Sequence, residues 1–320
     1  MAAEIDLSNG TPAMAFIGNR KDIWHGLGQE LQINSPIEVW IKEAGFDWDI
    51  IESDVKFQNE GEELLFTGKK VLSRSDNKIP LAIVSDAYKT VQPKQVLEFF
   101  RDIVSDSGMH LSTAGCLFDG KKFWALANTG NSLVLNTGDK IDGHLLLSSS
   151  CDGTNATTAS FVSTRVVCNN TLNVALNEDI GKHRVKVTHR QVFDATKIKQ
   201  KLGLIDDAWD KFKDNIISLT NFKVSDSDAH KFISDIIKQE FTPTHAEVLE
   251  INRVYSLYAG AGKGSDACRN TAFGILNAFT EKVDHYSNGH SNSSKFWNAA
   301  YGSGAKMKDN AFTQLLQLAA

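Results

Sequence analysis

The texture of the chain changes near residue 192. Before it, short apolar stretches alternate with glycine-bearing turns; after it, apolar residues recur at helical spacing. Residues 46–57 and 64–73 flank Asn59-Glu60-Gly61, and Ser75-Asp76-Asn77 turns into residues 79–85. Residues 111–118 and 121–128 flank Asp119-Gly120, the strongest hairpin signal in the chain, because such turns need positive φ and glycine takes it at no steric cost. A similar turn, Asp152-Gly153, lies between residues 140–149 and 156–167, and a short strand is expected over 184–188. Two helices interrupt these strands. One runs from an N-cap at Ser35, with Pro36 first and Glu38 completing a capping box, to a stop at Gly45. The other opens at Pro93 and closes at Gly108. Beyond residue 192 the spacing predicts helices over 195–219, 226–241, 246–258, 267–286 and 305–318, with a capping box at Thr244-His245-Ala246-Glu247. Strands first and helices last predict an α+β fold: an antiparallel sheet core with packed helices, then a helical C-terminal region. The expected divisions are an irregular N-terminal arm over 1–34, pinned by Trp24, an α+β core over 35–191, and a helical region over 192–320. Ser287 to Ser294 reads as a surface loop.

Several function classes lose support on composition. The chain carries 34 basic and 39 acidic residues, a net charge of -5, so bulk charge does not coat DNA, although a local basic patch can still bind it. Met1 to Gly10 is no signal peptide, and no stretch approaches the ~20 apolar residues that span a bilayer. A protein of the bacterial host cytoplasm, without membrane contact, is expected. Cys116, Cys151, Cys168 and Cys268 stand far apart without a C-x-x-C pair, so neither a zinc site nor a disulfide framework is expected, and no metal or other cofactor is implied.

Catalytic motifs fail on their spacing. Ala259-Gly260-Ala261-Gly262-Lys263-Gly264-Ser265 looks like a phosphate loop, but Gly264 stands where Ser or Thr should follow the lysine. The loop reads as a connection between helices, with Lys263 and Arg269 available to an anion. Cys168-Asn169-Asn170 has no neighbouring signature of a cysteine enzyme. The carboxylates are scattered in runs that suit solvated faces. No catalytic constellation emerges, and nuclease or ATPase activity is not expected.

Basic residues carry more information. Lys182, Arg184 and Lys186 repeat with period two, on one face of a strand. Lys69 with Lys70, and Lys121 with Lys122, mark two other strands, and Trp124 follows the second pair. Cations beside rings suit single-stranded nucleic acid, where phosphates meet Lys and Arg and bases stack on aromatics. A solvated sheet face over an aromatic core explains the same pattern. Arg165 lies in a strand expected to be central, where an arginine needs a carboxylate or a phosphate as partner.

Trp24-His25-Gly26-Leu27-Gly28, Ala44-Gly45-Phe46-Asp47-Trp48 and the run from Val84 to Pro93 resemble one family. Thr113-Ala114-Gly115, Asp152-Gly153 with Ala156-Thr157-Thr158-Ala159, Arg165 to Leu172, and Asn270 to His285 extend the likeness. It is the family of phage/plasmid-like proteins grouped as a domain of unknown function (932), which implies a gene of phage, plasmid or other mobile origin. A helix followed by Gly45-Phe46-Asp47-Trp48, three strands and a helix also resembles the core of Rad-fifty-two-like and Redβ-type single-strand annealing proteins. That likeness implies a homo-oligomer, a ring or filament, holding single-stranded DNA in a basic groove. The residues expected to line it are Lys69, Lys70, Lys121, Lys122, Trp124, Arg165, Lys182, Arg184 and Lys186. The competing expectation is a phage-encoded interaction module that inhibits or redirects a host protein.

Overall fold

A computed structural model describes residues 5–7, 10–18, 27–107, 109–165, 170–173, 184–194, 196, 198, 205–238, 240–287 and 292–320. The strands and early helices are β1 (Met14–Phe16), β2 (Gln29–Glu30), α1 (Ile37–Glu43), β3 (Ile50–Asn59), β4 (Glu62–Arg74), β5 (Pro80–Ser85), α2 (Pro93–Ser107), β6 (His110–Leu117), β7 (Lys122–Val134), β8 (Lys140–Ser150), β9 (Thr157–Arg165), β10 (Asn170–Asn173) and β11 (Arg184–Val187). The helices that follow are α3 (Ile205–Asn221), α4 (Asp226–Ile237), α5 (His245–Ser256), α6 (Ser265–Cys268), α7 (Ala272–Tyr286), α8 (Asn292–Tyr301) and α9 (Ser303–Ala319). The fold is α+β, as the succession of periodicities predicts. Two compact units divide the chain. One gathers residues 1–130, 144–160 and 184–203, and the other gathers 131–143, 161–183 and 204–320.

The first unit is built on sheets. Its larger sheet has the order β9-β8-β7-β6-β1-β2, and β11 pairs β9 with Arg184 opposite Ser160 and Val187 opposite Thr157. The stretch read as an irregular arm therefore contributes strands: β1 pairs antiparallel to β6, Met14 opposite Gly115. Three buried side chains on β1, Met14, Ala15 and Phe16, explain the docking, although three residues are too few to show a period in sequence. Trp24, the residue expected to pin the arm, lies outside the described residues. Asp6 anchors it instead, through the buried Arg74. That guanidinium also bonds Asp76 at 2.7 and 2.9 Å and the Asp119 carbonyl at 3.1 Å, and it lies 4.3 Å from the centre of the Trp48 ring. Burial opposes the charge, but Asp76 and Asp6 outweigh it and hold the guanidinium proton more firmly than usual. Gly120 is required here: its φ is 89°, and a Cβ would come within 2.6 Å of Trp48.

The smaller sheet has the order β3-β4-β5. β5 covers β4 only over Lys69 to Ser73, so the outer parts of β3 and β4 continue as a two-stranded ribbon. Glu60 and Gly61 turn it with φ of 51° and 90°. Phe57 pairs with Leu64, and the Phe57 and Phe66 rings meet edge to face at 6.3 Å. Phe57 is 45% exposed and Phe66 50%. α1 starts one residue later than expected: Pro36 is the N-cap, with no side-chain cap bond, and Glu38 is drawn to Arg101 at 2.8 Å.

In the second unit α7 is buried along most of its length and contacts β10, α3, α5 and α9. Thr244 and Glu247 form the predicted capping box on α5. The single helix expected over 267–286 is broken: Asn270 takes φ 60°, and Thr271 caps α7 by accepting from the Gly274 amide at 3.0 Å. Asn accepts the left-handed region and Thr favours an N-cap, so polar local chemistry overrides the apolar period. The serine-rich stretch read as a loop is helical from Asn292 onward, as α8. A π-helical turn, Leu257–Ala261, leads into the glycine-rich loop. The Lys263 amide donates to both oxygens of the buried Glu281 at 3.1 and 3.2 Å, and Arg269 pairs with Asp226 at 3.4 Å. The loop thus meets an internal carboxylate, which corrects the reading of it as open to an outside anion. A second buried pair, Lys308 with Asp284 at 2.7 Å, joins α9 to α7.

Candidate nucleic-acid interface

Four segments of the first unit meet around Tyr88, just past β5. Its hydroxyl donates to the Ser150 carbonyl at the end of β8, at 3.0 Å. Burial raises the Tyr88 pKa, and the nearby Cys151 and Asp152 raise it further, so the phenol stays a donor. His189, two residues past β11, lies flat against the Tyr88 ring, with centroids 4.4 Å apart and planes 13° apart. Its Nδ1 faces the Lys89 carbonyl at 3.1 Å and its Nε2 the Asn155 carbonyl at 3.0 Å. Both ring nitrogens face backbone carbonyls, so the imidazole clasps the Lys89 and Asn155 segments to the Tyr88 ring. The loop from Ser150 to Asn155 is closed by its own bonds: Ser150 Oγ accepts from the Asn155 amide at 3.0 Å, and Asp152 accepts from the Thr154 amide at 2.9 Å. The Cys151 amide donates to the Lys121 carbonyl at 2.9 Å, which ties the loop to the β6–β7 turn.

The expected cations lie on the strands and turns that lead into this junction. Lys70 donates to the Tyr88 carbonyl and to Glu52, both at 2.8 Å, so its charge is spent internally. Burial works against the Glu52 charge, but the bonds from Lys70 and Thr90 prevail and lower its pKa. Lys69, its neighbour on β4, is exposed opposite Ser85. Lys121 and Lys122 are half-buried in the β6–β7 turn. Lys122 sits 5.3 Å over the Phe118 ring, and burial lowers its pKa against the pull of Asp152. Lys186 is exposed on β11, opposite Thr158. Among the described residues Lys69, Lys121 and Lys186 have no carboxylate partner.

The other expected residues fare differently. Trp124 is 3% exposed and touches Gly115 so closely that a Cβ there would come within 2.6 Å of it. It is a core residue, not a platform for bases. Arg165 and Arg184 lie in β9 and β11 as expected, opposite Asn170 and Ser160, but their side chains are outside the described residues, and so is Lys182 altogether. Sequence reasoning missed the Tyr88–His189 stack and the Arg74 cluster. Tyr88 lies inside a run quoted for the family likeness, yet its partner is 101 positions further on, and no spacing rule connects them.

Cys151 and Cys116 are buried near the same turn. Burial, helped by Asp152, pushes the Cys151 thiol up to about 12, and burial raises Cys116 as well, so both stay protonated and unreactive at neutral pH. Among the described residues no group of three or more His, Cys, Asp or Glu could hold a metal ion, and no helix is long and apolar enough to cross a membrane.

No curated protein and no solved structure matches the chain. The profile of the domain of unknown function DUF932 matches residues 80–313, which take in the Tyr88 junction, the Asp152 loop and the helices through most of α9, and on that span the chain belongs to the DUF932 family.

Proposed function

We propose that the chain is a DNA-binding protein of a phage or other mobile element, acting as a homo-oligomer that anneals single strands. The observation that carries this reading is the set Lys69, Lys121 and Lys186, cations without carboxylate partners among the described residues, on elements joined through the Tyr88–His189 junction. On a chain of net charge -5, cations that keep their charge offer a polyanion local points of contact. With Trp124 in the core, strand contact runs through phosphates rather than ring stacking, which leaves bases outward for pairing. The exposed apolar face of the β3–β4 ribbon supplies surface for assembly.

The test is fluorescence anisotropy of a labelled single-stranded oligonucleotide, with mass in solution measured alongside. Binding is expected to weaken steeply between about 50 and about 200 mM salt. Replacing Lys69, Lys121 and Lys186 by Gln should reduce the log–log salt slope by about 2, at ~0.7 per lost phosphate contact. Absence of binding at the lower salt would remove the reading. The ribbon's apolar face also favours a second reading, a module that captures a host protein. Stoichiometric recovery of a host protein by the wild-type chain, lost on replacing Phe57 and Phe66 and accompanied by no DNA binding, would select it.

A further inference from the structure

The helical unit contains a cleft of about 550 Å³, between α5, α7 and the start of α9, within the size range of small-molecule sites. Its polar groups can be sorted by whether the protein already uses them. Asn298 Oδ1 accepts from the Gly304 amide at 3.1 Å and from Ser303 Oγ at 3.0 Å, so the first turn of α9 is capped from within. Lys282 and Glu250 form an ion pair and cancel each other's charge. That leaves Arg253, which is exposed, has no carboxylate partner among the described residues, and holds its guanidinium 5.7 Å from the centre of the Tyr286 ring. The apolar part of the wall is Leu249, 57% exposed, with Met307 and the buried Val283, and Ser287 and Ser303 complete the lining. A cation without a carboxylate partner among the described residues, at the edge of a partly exposed apolar wall, matches a ligand with one negative group on a flat apolar body.

We propose that this cleft binds a small aromatic anion, a planar ring bearing a phosphate or a carboxylate, with Arg253 as the anchor for the charge. The site is independent of the single-strand interface. Its ring-bearing half is the wall of Leu249, Val283 and Met307. Arg253 lies on the surface, so its replacement tests recognition without a burden on folding.

The experiment is isothermal titration of the full chain with three probes: adenosine 5′-monophosphate, benzoate and adenosine. Saturable binding of the first or second at one site per chain, with none for uncharged adenosine, is expected. The first would assign a phosphomonoester and the second a carboxylate. Arg253→Gln should weaken that binding about tenfold or more, the worth of one charge-assisted contact, while single-strand binding stays unchanged. Tyr286→Leu, which keeps the apolar wall but removes the ring that positions the guanidinium, should weaken it as well. Saturation by neither anion, or affinity that survives Arg253→Gln, would overturn the proposal.

Discussion

Arg74 is the residue on which the first unit turns. It is 1% exposed, and Asp6, Asp76, a backbone carbonyl and the Trp48 ring share its guanidinium. A buried charge is tolerable only while its partners remain, and removing one side of such a set leaves the others desolvated and unpaired. Arg74→Met keeps the length of the side chain but strands the buried carboxylate of Asp6, while Asp76 stays partly open to solvent. Urea denaturation should show a loss of about 3–5 kcal/mol relative to wild type. A loss below about 1 kcal/mol would mean that the carboxylates find other partners or water. The same cluster explains why Gly120 follows Asp119. The dipeptide signals a turn in sequence, and the structure adds the second reason, that any side chain there would strike Trp48.

Among the elements, the β3–β4 ribbon is the least covered. Its outer half projects past β5 with Phe57, Leu64 and Phe66 open to solvent, and a two-stranded hairpin gains little stability alone. Phe57→Ser with Phe66→Ser should therefore leave the free energy of unfolding within about 1 kcal/mol of wild type. The double variant should lower the mass observed by light scattering if the ribbon mediates assembly, and an unchanged oligomer would assign assembly to another surface. The hairpins and the α5 capping box were legible because each is decided within a few residues: positive φ at Gly61 and Gly120, and a reciprocal bond between Thr244 and Glu247. The break between α6 and α7 was not, since a left-handed Asn270 and the Thr271 cap act against an apolar pattern that runs through them. β1 was hidden for the opposite reason, because its stability comes from β6, nearly a hundred positions away. The basic residues of the candidate interface could be named from sequence. Which of them keep a free charge could not, because Glu52 claims Lys70 only through a strand register.

At the scale of the whole molecule, the thiols among the described residues are withdrawn from solvent. Of four cysteines, Cys116, Cys151 and Cys268 are buried and form no disulfide among the described residues. Burial holds the first two protonated far above neutrality, and a thiol reacts only as thiolate. At about pH 8, labelling of the native chain with Ellman's reagent should therefore stop at or below one equivalent, and all four should react in urea. Rapid labelling of more than one in the native state would contradict the burial of Cys116, Cys151 and Cys268. The glycine-rich turn before α6 follows the same economy at larger scale. Glu281 already occupies the amide that a visiting phosphate would seek, so the molecule carries a built-in tenant where its primary structure advertises a vacancy. An outside anion could lodge there only by evicting a side chain rooted in the most enclosed helix of the unit, which turns a motif suggestive of nucleotide traffic into a permanent internal fastening.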